Sequence, residues 1–186
     1  MIITGSFALA LHGLRSIDDS RDLDLVGTRE EADALATWLG ERVTSISQPY
    51  GNYQTLHLKP GYRWTKIEID DGQSTSDRLL DPLCRQQVRI FDRALNVPPL
   101  EVLYLIKRAH ATVPIHQDKT LRDLLLLKRL IGPFSEEQRR FGQQRETECV
   151  QRYARHRSRF IPAISEEDLI YPDTHAKLFE RADIRS

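Results

Sequence analysis

The sequence has few cysteines and no long apolar run, and each absence excludes a class of protein. Its 186 residues include two cysteines, Cys84 and Cys149, which are too few for a disulfide framework and lack metal-ligand spacing. The longest apolar runs, such as Leu124–Leu127, are far too short to cross a bilayer. The first residues enter apolar sequence without a basic leader or a cleavage site. We therefore expect a cytoplasmic protein with no membrane partner.

A charge excess of either sign is also missing. Lysine and arginine number 27, aspartate and glutamate number 27, and the formal charge is zero. Nothing global therefore draws the chain to nucleic acid or to an anionic membrane. Hydrophobic residues at 40% and charged residues at 29% are typical of a globular chain rather than a disordered one.

The first half of the chain carries the patterns of short strands and amphipathic helices. Apolar spacing predicts a buried helix over residues 6–14. Thr28 and Glu31 form a capping box, and the helix that follows carries an apolar stripe from Ala32 to Val43. A loop is expected at 71–77. Alternation of apolar and polar residues predicts strands at 2–4, 23–26, 54–59, 64–70 and 88–91.

The second half is rich in helix formers. Pro98 and Pro99 open a helical run, a second run covers 119–131, and Ser135 caps a third. The expected class is therefore α/β (α+β), with a mixed sheet flanked by helices and a helical second half. The expected domains are an α/β core at 1–95, a helical subdomain at 96–160 and an irregular tail at 161–186.

Two carboxylates stand one residue apart near the start of the chain. Asp22 and Asp24 point from one face of a strand, while Leu23 and Leu25 point from the other. Such a pair repels unless a cation lies between its members, and Mg²⁺ prefers oxygen ligands. Nucleotidyl transfer uses two such ions held by carboxylates. A third carboxylate is expected from a neighbouring strand, where two candidates share one face: Glu68 and Asp70.

The turn before the first helix has the composition of a phosphate cradle. Gly5 lets the backbone approach a ligand, and the hydroxyl of Ser6 can bond a phosphate oxygen. Backbone N–H groups and the positive end of a helix dipole would add to this binding. A plain helix cap at Ser6 is the alternative interpretation.

The order of these motifs matches a known pattern. A short strand, Gly5-Ser6, a helix and then the stretch Asp22–Leu25 resembles the DNA polymerase β-like nucleotidyltransferase superfamily, with Thr4 at a position that is hydrophobic in the pattern. The stretch Ile67–Ile69, preceded by Lys66, is similar to the third motif of the branch that contains AbiEii-type toxins and other minimal nucleotidyltransferases. The helical half is also similar to that branch, on the residues Lys107, Lys119 and Asp123.

The resemblance implies a nucleotidyltransferase-like fold and transfer of a nucleoside monophosphate from an NTP, such as ATP, to a hydroxyl. The cofactor would be Mg²⁺, or Mn²⁺ in its place. Family members modify antibiotics, RNA ends or protein hydroxyls, so RNA, tRNA, a protein or a small molecule stays open as the acceptor, and so does an antitoxin-like partner. The implied catalytic and metal-binding residues are Asp22, Asp24 and Glu68. The implied nucleotide-binding residues are Gly5, Ser6, Arg21 and Lys107.

Simpler interpretations stand beside these. Asp22 and Asp24 can be the exposed side of a half-buried strand, and Lys107 can be a solvated charge. Lys119 and Asp123 have the spacing of a surface ion pair within one helix. The whole chain can also be a catalytically inactive nucleotide-binding or partner-binding module on the same fold.

A segment at 139–159 is rich in arginine and also contains Tyr153. It predicts either a polynucleotide or acceptor-binding face, or an ordinary solvated helix. Its arginines are Arg139, Arg140, Arg145, Arg152, Arg155, Arg157 and Arg159. The nearby His110 and His116 do not have the ligand spacing of a zinc site.

Overall fold

A computed structural model describes residues 1–48, 53–111 and 117–160. The chain divides into two compact units, Met1–Pro99 and Leu100–Ser186. The tail expected at 161–186, together with His116, lies outside the described residues. In the part of the chain that is described, no helix combines the length and apolar character that a bilayer crossing needs.

The first unit contains a seven-stranded sheet with the order β3-β4-β5-β2-β1-β7-β6. Strands β2 and β5 are parallel, as are β1 and β7, and the remaining neighbours are antiparallel. The mixed sheet expected from the sequence is therefore confirmed. The strands are β1 Ile2–Thr4, β2 Asp22–Val26, β3 Val43–Ser47, β4 Tyr53–Leu58, β5 Lys66–Asp70, β6 Gln86–Ile90 and β7 Arg93–Val97.

Helices occur in both units, and the second unit is helical as expected. The capping box that begins α2 is present, with reciprocal hydrogen bonds between Thr28 and Glu31. The helix α6 begins with a similar pair, in which Ser135 and Gln138 each accept from the other's backbone N–H. The helices are α1 Gly5–Leu11, α2 Arg29–Leu39, α3 Thr75–Leu80, α4 Leu100–His110, α5 Gln117–Lys128 and α6 Glu136–Phe160.

Two element assignments made from the sequence are wrong. Val43 begins β3 instead of ending the stripe of α2, because the helix stops at Gly40, whose φ of +52° leaves the helical region. The loop expected at 71–77 contains the start of α3, whose first turn is capped by Ser74, since its hydroxyl accepts the backbone N–H of Asp77.

The sheet has one apolar face and one polar face in its centre. Ile3, Leu23, Leu25, Ile67 and Ile69 are each at most 2% exposed, and the register places them on one face. Alternation then places the intervening residues of β2 and β5 on the opposite face. The central strands are thereby anchored in the core, while Asp22, Asp24 and Glu68 on the opposite face stay partly exposed.

Candidate functional site

The parallel pairing of β2 and β5 positions the acidic residues. Asp22 lies opposite Lys66, and Asp24 lies opposite Glu68. Residues that pair across neighbouring strands share a face, so Asp24 and Glu68 are neighbours. Asp70 lies one step further along, opposite Val26, and is only 2% exposed. The register therefore brings Glu68, rather than Asp70, next to Asp24.

Gly5 and Asp24 are in close contact. Gly5 has a φ of +66°, and a Cβ atom added there would lie 1.7 Å from Oδ2 of Asp24. The hydroxyl of the preceding Thr4 donates to the backbone oxygen of Asp24 at 3.4 Å. The absence of a side chain at Gly5 thus leaves the space that the Asp24 carboxylate occupies. The turn before α1 therefore lies against Asp24.

A lysine lies between two of the carboxylates. The Lys66 ammonium is 2.7 Å from Oε1 of Glu68 and 3.4 Å from Oδ2 of Asp22. Burial alone would lower the pKa of Lys66, but the hydrogen bond and charge of Glu68, together with Asp22, outweigh burial and raise it. The Thr65 hydroxyl donates to the other oxygen of Asp22 at 3.0 Å. Asp22 is therefore held at both oxygens.

The donor atoms suit a hard divalent cation that brings further ligands with it. Among the described residues, no three or more His, Cys, Asp or Glu side chains form a group that could hold a metal ion. Mg²⁺, however, is commonly held by one or two carboxylates together with the phosphates of a substrate. Asp24 with Asp22, or Asp24 with Glu68, supplies that number of carboxylates. The residues fit an ion that enters with a nucleotide.

The two remaining candidates of the first unit are next to Gly5 and Asp22 in the sequence. Ser6 lies in the first turn of α1 and is half-buried. Arg21 directly precedes β2 with an exposed side chain, and its carbonyl accepts the backbone N–H of Thr65 at 2.8 Å. Arg21 thus ties the start of β2 to the start of β5 through its backbone. A role of either side chain toward phosphate stays a prediction.

Lys107 belongs to the second unit. Its ammonium lies 2.9 Å from Oδ2 of Asp123, and the two side chains are 11% and 2% exposed. The interpretation of Asp123 as a surface residue is therefore wrong, because α4 and α5 pack so that Asp123 faces Lys107. The interpretation of Lys107 as a solvated charge is wrong for the same reason. Nucleotide binding by Lys107 stays a prediction.

The arginine segment is not an ordinary solvated helix along its described length. Arg145 is 6% exposed, and Glu146 accepts a hydrogen bond from Arg108 of α4. Burial and the charges of Arg145, Lys107 and Arg152 lower the pKa of His110 to about 3, so its imidazole is neutral. Part of this segment therefore packs against α4, while Arg139 and Arg140 are exposed.

The sequence pointed to Lys66 only as the residue before Ile67–Ile69, and it did not reveal that Lys66 and Thr65 contact Asp22. The alternation of β5 already places Lys66 on the face of Glu68, which is the signal that could have drawn attention to it. Its contact with Asp22 depends on the pairing of β2 with β5. That pairing joins strands far apart in the chain and leaves no local signal.

The likeness of this chain to known proteins lies in structure rather than in sequence. No protein-family model matches the chain, and no curated protein matches it. Among solved structures, the chain is similar to an antigenic nucleotidyltransferase-like protein from Paracoccidioides brasiliensis. The two are 19% identical with a TM-score of 0.47, and the match covers 90% of this chain and 87% of that chain.

Proposed function

We propose that the protein is a nucleotidyltransferase that moves a nucleoside monophosphate from an NTP to a hydroxyl acceptor with the help of Mg²⁺. One observation carries the proposal: the Asp24 carboxylate lies against Gly5 on one side and next to Glu68 on the neighbouring strand. Three short motifs from separate parts of the chain thereby meet at one place. A half-buried strand with solvated aspartates would not require a glycine in that contact.

The residues divide the work of the transfer. Asp22 and Asp24 would hold the cation that accompanies the triphosphate, and Ser6 would bond a phosphate oxygen. Mg²⁺ would offset the charge that develops on the transferring phosphoryl group. Glu68 would accept the proton of the acceptor hydroxyl, whose oxygen bonds to the α-phosphorus while pyrophosphate leaves. The protein contributes mainly positioning and electrostatics.

The proposal is tested by following label from each α-³²P NTP into RNA, protein or small molecules of a cell extract, with Mg²⁺ present. We expect Asp24→Asn to reduce transfer at least a hundredfold, because it removes a carboxylate charge from the cation site. Asp19→Asn is the matched control, since Asp19 lies on the exposed turn before β2. That variant should keep full transfer.

Full transfer by purified Asp24→Asn would contradict the proposal. The class of labelled product would also identify the acceptor, which zero net charge and the arginine segment leave open. Label in RNA would favour a polyanionic acceptor. Label in a small molecule would show that the acceptor does not have to be a polyanion.

A binding module without catalysis is the second candidate, and one observation favours it. Lys66 already neutralises part of the charge of Asp22 and Glu68, so those two carboxylates have a structural partner. Under this alternative the protein binds a nucleotide without releasing pyrophosphate. Pyrophosphate release in the transfer experiment separates the two candidates.

A further inference from the structure

The polar face of β2 and β5 contains its own cation. The Lys66 ammonium contacts Oδ2 of Asp22 and Oε1 of Glu68, and its side chain is 32% exposed. It is therefore close enough to bind both carboxylates and exposed enough to leave them. The same oxygens are the ones that a divalent cation would need.

Two cations cannot share those oxygens at short range. Like charges a few ångströms apart repel strongly near a protein surface, and the repulsion between an ammonium and a divalent ion exceeds that between two unit charges. A divalent ion bound by Asp22 or Glu68 therefore requires Lys66 to move. The side chain can do so, because an ammonium sits on a flexible four-carbon stem.

We propose that Lys66 is a built-in counter-ion that holds Asp22 and Glu68 while no nucleotide is bound, and that it releases them when an NTP arrives with its cation. The phosphates give the ammonium a new anionic partner, so its departure from the carboxylates is favoured only in their presence. Binding of the divalent cation is then coupled to binding of the nucleotide. Lys66 is a positioning residue, and the inference rests on the proposed function.

The two carboxylates beside Lys66 are already directed at partners within the chain. Asp22 is held by Lys66 at one oxygen and by the Thr65 hydroxyl at the other. Glu68 is turned toward the same ammonium. With Lys66 in place, the carboxylates neutralise a single positive charge instead of converging on a divalent ion.

The test measures Mn²⁺ binding without nucleotide, from the electron paramagnetic resonance signal of free Mn²⁺. Lys66→Met removes the charge and keeps the length of the side chain. We expect this variant to bind Mn²⁺ at least tenfold more tightly than the wild type, because the carboxylates lose their competing cation. Lys59→Met is the matched control, since Lys59 is an exposed lysine next to β4, and it should bind as the wild type does.

Two further variants keep the outcome clear. Lys66→Arg retains the charge and should bind Mn²⁺ as weakly as the wild type, which excludes a general effect of disturbing this position. Asp24→Asn in the Lys66→Met background should abolish the gain, which assigns it to this site. Circular dichroism and a thermal melt confirm that each variant is folded.

Equal Mn²⁺ affinities of wild type and folded Lys66→Met would overturn the inference, as would tight binding by the wild type without nucleotide. Neither result depends on catalysis. If the wild type transfers the label but wild type and Lys66→Met bind Mn²⁺ equally well, only the proposed role of Lys66 is wrong. If Lys66→Met binds Mn²⁺ more tightly but the wild type transfers no label, the cation site is supported and the proposed reaction is contradicted.

Discussion

Two separate features of the structure restrict which amino acid can occupy the position of Gly5. Its backbone has a left-handed φ, which any L side chain adopts only with strain. Its Cα also borders the Asp24 carboxylate, where a Cβ would overlap Oδ2. The sequence predicted a close approach of backbone to ligand at Gly5. The contact with a carboxylate of the same chain is the additional finding.

Alanine substitution separates the two restrictions. Gly13 has a φ of +74° with nothing within 4 Å of an added Cβ, so Gly13→Ala tests the backbone effect without a steric overlap. We expect it to lower the free energy of unfolding by about 0.5 kcal/mol, because left-handed strain of about 1–2 kcal/mol exceeds the entropy that alanine removes from the unfolded backbone. Gly5→Ala should lower it by distinctly more, because Asp24 must also move. Urea denaturation of both variants measures the difference.

Equal losses in the two variants would contradict the close contact of Gly5 with Asp24. The comparison concerns stability alone. It therefore holds whether or not the protein is an enzyme.

Among the elements, the hairpin of β6 and β7 shows why a strand was missed. The sequence predicted a strand at 88–91 and none after it. Two-residue hairpins usually carry asparagine and glycine, whereas here Phe91 and Asp92 adopt left-handed φ values of 54° and 56°. The ring of Phe91 packs 5.2 Å from that of Trp64 and 5.6 Å from that of Trp38. Aromatic packing thus holds a turn whose sequence gives no turn signal.

Substitution by glycine at Phe91 and at Asp92 should change the stability of the protein in opposite directions. Asp92→Gly should raise the free energy of unfolding by about 0.5 kcal/mol, because the left-handed strain relieved exceeds the backbone entropy that glycine adds. Phe91→Gly removes the same strain together with the ring contacts, and should lower stability. Thermal and urea unfolding of both variants measure the two signs. A stabilising Phe91→Gly would contradict the packing role of the ring.

Element patterns could be predicted locally, and pairings between distant elements could not. Alternation placed Asp22 and Asp24 on one face, since the side-chain period of a strand is fixed. Which of Glu68 and Asp70 lies beside Asp24 depends on the register of β2 on β5, which the turns and the core set together. The pairing of Lys107 with Asp123 likewise depends on how α4 packs on α5.

Over the whole molecule, zero net charge conceals local pairing. Lys66 contacts the carboxylates of the first unit, while Lys107 and Arg108 pair with acidic partners in the second. Composition excluded a global attraction to polyanions, but it could not show that these particular charges are already engaged. Under the proposed function, a triphosphate would have to rearrange the ion pairs of Lys66, and its binding would then depend on a compensating cation.

That dependence is measured most directly by thermal shift. Wild type and Asp24→Asn are melted with each NTP, with and without Mg²⁺. A ligand at a hundred times its Kd adds about 2.7 kcal/mol of stability. We predict that at least one NTP stabilises the wild type only when Mg²⁺ is present, and that Asp24→Asn shows no such shift. Absence of any shift in the wild type, or an equal shift in the variant, would contradict a nucleotide site built on Asp24.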